Sequence, residues 1–157
     1  MKKIIILIFT LFFLCSCETK EEKNIDEYYF TYNAIDLKPG IIFNNVSISL
    51  EEYNNTYSES SNYNESSANI YEYDDFEIET YYDETGIEKI YSIRLTNQEQ
   101  KTNEGIKIGD TIDNMLKIYG DNYEKIDDNT YLYNISKTNI TFTINDNLIT
   151  DIVYYLI

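Results

Sequence analysis

Few side chains in this sequence can do covalent chemistry, and they are unevenly placed. The two cysteines, Cys15 and Cys17, lie almost side by side near the N terminus, and histidine is absent from all 157 residues. Without histidine, Ser-His and Cys-His nucleophilic sites and His-ligated metal centres are excluded. Carboxylates are plentiful, and two of them suffice to protonate and attack a glycosidic bond. Asp74, Asp75, Asp127 and Asp128 are the candidates, but all four occupy polar, turn-like stretches where solvation is the ordinary role. Asp127-Asp128-Asn129 and Asn145-Asp146-Asn147 offer hard oxygen ligands for calcium. Neither run has the spacing of an EF-hand loop, which also requires a glycine and a distant glutamate. The inventory predicts no enzyme, no cofactor and no bound metal, and leaves one cysteine with a chemical task.

That task follows from the order of residues around it. Lys2 and Lys3 form a positive n-region, Ile4 to Leu14 an apolar core broken only by Thr10, and Leu14-Cys15-Ser16-Cys17 follows. Eleven helical residues reach roughly 16 Å, against a hydrocarbon core of ~30 Å, so the segment is too short for a permanent membrane span and is predicted to be cleaved. Leu14-Cys15-Ser16-Cys17 resembles the lipobox of bacterial lipoproteins, with Leu three residues before the acceptor cysteine and a small residue immediately before it. The resemblance implies residues 1–16 as a lipoprotein signal peptide and Cys17 as the lipid-attachment residue. Cys15 is the rival acceptor, but it is preceded by Phe12, Phe13 and Leu14, which put a bulky side chain where a small one is wanted. An ordinary secretory signal is the other alternative, and it leaves the clustering of both cysteines at the cleavage point without a reason.

Cleavage changes the charge. All 28 acidic residues follow Cys17, while Lys2 and Lys3 leave with the signal, so ten basic residues remain and the net charge moves from −16 to −18. Such a chain repels nucleic acid and anionic membrane surfaces and attracts cations. With Cys17 acylated, no thiol remains for a disulfide, so a core must hold the domain together. Seventeen Tyr, seven Phe and many Ile supply the area for one, and the 140 residues after Cys17 suffice for one domain. From Glu18 to about Glu27 the chain is nearly devoid of apolar residues, which predicts a flexible tether over 17–27.

The elements of the domain, 28–157, follow from periodicity and turn chemistry. Tyr28 to Ile35 is aromatic enough for a strand, and Pro39-Gly40 marks a loop. In the second half Ile106-Lys107-Ile108 predicts a short strand and Gly109 a turn, with Asp110 as N-cap. Ile112, Met115, Leu116 and Tyr119 then fall at helical spacing and Gly120 supplies the stop. Strands are predicted at Tyr131–Ile135, Ile140–Ile144 and Leu148–Leu156, the last two joined by Asn145-Asp146-Asn147. In the first half Val46-Ser47-Ile48 precedes Ser49 and Glu52 at capping-box spacing, and Leu50, Tyr53 and Tyr57 share one face of a predicted helix. A polar stretch, Ser58 to Ser67, leads to strands near Ile70–Tyr73, Phe76–Tyr82 and Ile87–Leu95, the last two joined through Asp83-Glu84-Thr85-Gly86. Ile78, Thr80, Tyr82, Ile87 and Ile90 reappear as Ile140, Phe142, Ile144, Ile149 and Ile152, each displaced by 62 positions, and Val46 and Ile48 meet Ile106 and Ile108 at 60. The expectation is an α+β domain of two tandem repeats, about 44–97 and 104–157. Each is a short helix followed by a three-stranded antiparallel meander, behind the cleaved signal peptide and flexible tether.

Gly105-Ile106-Lys107-Ile108-Gly109-Asp110 together with Tyr119-Gly120 resembles small exported lipoproteins whose helix-plus-meander units are similar to the outer-membrane-assembly lipoprotein and β-lactamase-inhibitor folds. The first half lacks Tyr-Gly and has Ser49 in place of Gly109. The resemblance implies binding, by a lipid-anchored module in the cell envelope that faces the periplasm or the exterior and engages a protein partner. Two other readings stay open, a small-ligand sensor or carrier and a structural, host-facing surface antigen. No nucleic-acid partner is expected.

Overall fold

The computed structural model describes residues 25–50, 52–60 and 67–157. The signal peptide 1–16, the acceptor Cys17, its rival Cys15 and most of the tether lie outside the described residues. The last residues of the predicted tether are described and already engage the domain: Ile25 packs on the core, Glu27 pairs with Lys38 at 2.7 Å, and the N–H of buried Tyr28 donates to Thr138 Oγ1.

Two short strands, β1 (Phe30–Tyr32) and β2 (Ile35–Leu37), form a hairpin, where the sequence predicted one strand. The one-turn helix α1 (Asn44–Ser47) follows, then β3 (Asn55–Ser60), β4 (Ser67–Glu72), β5 (Phe76–Tyr82) and β6 (Glu88–Leu95). The helix α2 (Ile112–Tyr119) leads into β7 (Glu124–Lys125), β8 (Thr130–Ile135), β9 (Thr138–Asn145) and β10 (Leu148–Leu156). β3 to β10 form one antiparallel sheet in the order β3-β4-β5-β6-β10-β9-β8-β7.

This architecture corrects the expected fold class. Among the described residues about 48 % are strand and 10 % helix, so the protein is mostly β, and tandem α+β units with three-stranded meanders are absent from it. Two causes are visible. First, the spacing of Leu50, Tyr53 and Tyr57 mimicked a helix face, but Asn55–Ser60 is an edge strand, paired residue for residue with Ser67–Glu72. Pairing with β4 overrode a pattern resting on three residues. Second, β6 and β10 join through Ile152↔Leu95, Val153↔Arg94, Tyr154↔Ile93 and Tyr155↔Ser92, so the halves merge into one sheet.

Smaller corrections follow the same logic. Val46-Ser47 belongs to α1, and Ile106-Lys107-Ile108 makes only an isolated bridge, Lys101↔Lys107. The N-cap of α2 is Thr111, whose Oγ1 accepts from Asn114 N–H at 3.3 Å, while Asp110 turns back to accept from Lys107 N–H at 3.0 Å. Gly120 ends α2 as expected, in a backbone conformation with φ 81° that favours glycine.

The two helices and the β1-β2 hairpin all lie against one face of the sheet. Phe30 meets Phe76 edge-on at 5.5 Å, Phe43 stacks on Tyr71 at 4.3 Å, and Tyr119 meets Phe142 at 4.9 Å. Ile78, Ile90, Ile93, Ile140, Ile152 and Tyr154 are fully buried beneath them. Met115 is the buried residue of α2, which fixes the helix to this core. Strand side chains alternate between faces, so burying this set turns the intervening, more polar residues to the other side.

Candidate functional site

The site of greatest interest is on that other face, where the second sets of residues of β4, β5, β6, β10 and β9 come into line. The ladder places Tyr57, Ile70, Glu79, Ser92, Tyr155 and Asn139 in one cross-strand row. Glu77, Arg94, Val153 and Thr141 form the adjacent row. All of these but Asn139 line a groove of about 530 Å3 that runs across the strands, from Tyr57 on β3 to Ile126 and to Thr130 on β8.

The local sequence explains the floor. In Phe76-Glu77-Ile78-Glu79 the apolar residues enter the core and the two glutamates face the groove. β10 does the same with Ile152 and Tyr154 inward, and Asp151, Val153 and Tyr155 outward. Tyr91 is the extra residue at an irregularity where Thr80↔Ile90 gives way to Glu79↔Ser92, and it lines the groove. Irregularities of this kind commonly re-aim a side chain.

The electrostatics are lopsided. Glu77, Glu79 and Asp151 contribute three carboxylates, and Arg94, the only arginine in the chain, contributes one guanidinium. Arg94 Nε stands 3.3 Å from Asp151 Oδ1 and is directly opposite Glu77 in the ladder. Ser92 Oγ donates to Glu79 Oε2 at 3.3 Å. Burial pushes the Asp151 carboxyl above its ordinary range, with Arg94 pulling the other way. Burial likewise raises the Tyr155 hydroxyl, opposed by a hydrogen bond with the Asn139 side chain. Asn139 is itself buried on this face, and its Oδ1 has no hydrogen-bond partner among the described residues. Among its described lining residues the groove thus joins aromatic and aliphatic surface to two more carboxylates than guanidinium groups.

The Asp74, Asp75 and Asp127 carboxylates that drew attention in the sequence are elsewhere and accept hydrogen bonds at turns. Asp74 accepts from Asn54 Nδ2, and Asp75 from Asn97 Nδ2, in the β4-β5 turn. Asp127 accepts from Asn129 N–H and Thr130 N–H, both at 2.8 Å, and these bonds hold its carboxyl below the usual range. β5 and β8, which carry the near ends of these two turns, are four strand positions apart. That is about 19 Å along the sheet, so the turns do not form a glycosidase-like pair, which requires roughly 5–9.5 Å. Asp146 and Asn147 are the two central residues of the β9-β10 hairpin, with φ 49° and 66°. Among the described residues no three Asp, Glu, Cys or His side chains are placed to hold a metal ion.

A second polar cluster lies on the helix side. Glu88 Oε1 accepts from Asn69 Nδ2 at 2.8 Å, Thr80 Oγ1 at 2.8 Å and Tyr71 Oη at 3.1 Å. Three donors satisfy the carboxylate, so the cluster reads as a device for tying β4, β5 and β6 together.

Sequence reasoning missed the groove residues. The signal available was the alternation of Phe76-Glu77-Ile78-Glu79, which places acid on the face turned from the core, and the solitary Arg94. No protein-family profile, curated protein or solved structure matches the chain. The likeness drawn from Gly105–Asp110 and Tyr119-Gly120 therefore rests on those residues alone.

Proposed function

We propose that this chain is an extracytoplasmic lipoprotein, anchored to a membrane through lipid on Cys17, whose domain binds a protein partner in the groove on the face of its sheet opposite α1 and α2. The observation that carries the reading is the groove. Sheet surface with aromatic, aliphatic and charged groups grouped in one concavity is what a recognition site requires, because burying the apolar groups supplies affinity and the charges supply selectivity. The lipobox-like residues supply the anchor, and the composition of the run from Glu18 to about Glu27 supports a tether between anchor and domain. The groove's volume of about 530 Å3 also suits a small ligand, since such sites span roughly 300–1,000 Å3; a carrier role is the second reading.

The test uses the full-length protein in the cell that makes it, with a photocrosslinking residue in place of Val153 in the groove or of exposed Ile118 on α2. A protein adduct from position 153 and none from 118 is expected. Equal adducts from both positions, or none from 153, would remove the partner-binding reading. For the anchor, Cys17→Ser is expected to leave an unprocessed precursor without lipid. A mature wild-type chain whose mass shows an unmodified residue at its N terminus would refute the lipid attachment.

A further inference from the structure

We infer that the occupant of the groove is an extended, cationic polypeptide segment, carrying Lys or Arg side chains to Glu77, Glu79 and Asp151. This rests on the reading of the groove as a partner-binding site and adds the chemistry of the partner.

Charge complementarity is the first argument. Among the described lining residues, Glu77, Glu79 and Asp151 stand against the single guanidinium of Arg94. A neutral occupant would strip water from those carboxylates without supplying a counter-charge, and an acidic one would also meet the field of a chain at −16. Arg94 shows what the surface accepts. Its guanidinium already lies 3.3 Å from Asp151, its residue is opposite Glu77 in the ladder, and its side chain is about half exposed. It is a resident example of the group that the neighbouring carboxylates suit.

Tyr155 and Tyr91 line the same groove as the carboxylates and supply the second argument, since aromatic rings favour organic cations through their quadrupoles. A bare metal ion is a poorer match, because Glu77 and Glu79 lie in different cross-strand rows and the described carboxylates do not converge on a coordination point. Length is the third. From β3 to β8 the sheet advances six strand positions, about 29 Å measured along its surface. An extended chain covers about 3.3 Å per residue, so the groove takes at most about nine residues. A single amino acid or a small inorganic cation would leave most of it unfilled.

The experiment uses the lipidated full-length protein in detergent micelles and fluorescent nonapeptides in which Ser alternates with Lys, with Gln or with Glu. The Lys peptide is expected to bind at 0.15 M salt and the Glu peptide not to. The groove pair Glu77→Gln/Asp151→Asn is expected to weaken the Lys peptide by roughly tenfold, whereas the pair Glu84→Gln/Asp113→Asn, which removes the same charge outside the groove, changes it by less than about twofold. Arg94→Gln keeps the fold testable, because about half of the side chain is exposed, and removing the resident cation is expected to tighten binding by about threefold. Equal weakening by both pairs, binding of the Gln peptide as tight as that of the Lys peptide, or weaker binding by Arg94→Gln would each overturn the inference. The two proposals also separate. If position 153 crosslinks to a partner segment that is neutral or acidic, the cationic assignment fails and the partner-binding reading stands. If no peptide binds and position 153 captures nothing, both fall.

Discussion

Three tyrosine hydroxyls in the core are predicted to answer the same substitution with different signs. Tyr154 is fully buried, and its Oη has no hydrogen-bond partner among the described residues. Burial raises this hydroxyl well above its ordinary range, with nearby Glu104 adding to the effect. Tyr133 Oη donates to Gly120 O at 2.8 Å, and Tyr119 Oη to Glu104 Oε2 at 2.7 Å. Replacing Tyr154 with Phe removes a desolvated polar atom while keeping the ring, so the domain is expected to gain about 1–2 kcal/mol. Tyr133→Phe gives up a neutral hydrogen bond and leaves the Gly120 carbonyl short of a donor, a loss of about 0.5–1.5 kcal/mol. Tyr119→Phe gives up a bond to a carboxylate and is expected to cost about 1.5–3 kcal/mol. Urea unfolding of the soluble domain, with unchanged slope and shifted midpoint, reads all three. In a thermal scan each 1 kcal/mol corresponds to about 3–6 °C for a domain of this size. Loss of stability in Tyr154→Phe equal to that in Tyr133→Phe would refute the reasoning, because it would mean that the Tyr154 hydroxyl is bonded in the folded protein.

Two further expectations concern turns. Asn147 holds φ 66° in the two-residue β9-β10 hairpin; Asn147→Gly is expected to keep or raise stability slightly, while Asn147→Val costs about 1–2 kcal/mol, measurable as a fall in the urea midpoint. Asp83 accepts from Lys89 Nζ, Thr85 Oγ1 and Ile87 N–H in the β5-β6 turn, and the lysine, then the other donors, hold its carboxyl far below the usual range. A depressed carboxyl contributes stability that is complete above its unfolded value, about 3.9, and is lost as pH falls through the folded one. Asp83→Asn is therefore expected to lower stability at neutral pH and to flatten its decline below about pH 4, read from urea midpoints across that range. An acid limb as steep as that of the wild type would count against the role of this carboxylate.

Much of the domain was legible where one short stretch of chain decides its own conformation. The helical spacing of Ile112, Met115, Leu116 and Tyr119 with Gly120 behind them specified α2, and the alternation of Ile140, Phe142 and Ile144 specified β9. The paired Asp146 and Asn147 suit the left-handed conformations that a tight hairpin demands. Reading failed where the local pattern was thin. Asn55–Ser60 carries one aromatic residue among five polar ones, and only its partner β4 makes it a strand. Thr111 and Asp110 are both good caps, and the choice between them depends on which N–H groups the turn presents.

By itself, then, the sequence determined the chemical inventory, the lipobox-like run ending at Cys17, and the β5-β6 and β9-β10 hairpins and the helix α2, whose steric and turn requirements are local. The tertiary structure alone decided that β6 and β10 are neighbours, and with that pairing came the single sheet and the groove, in which Glu77 and Arg94 from the first half meet Asp151, Val153 and Tyr155 from the second. The physical reason is that backbone hydrogen bonds are the same at every strand edge. Which two edges meet is set by how the whole apolar face is buried, and no short run of residues encodes that.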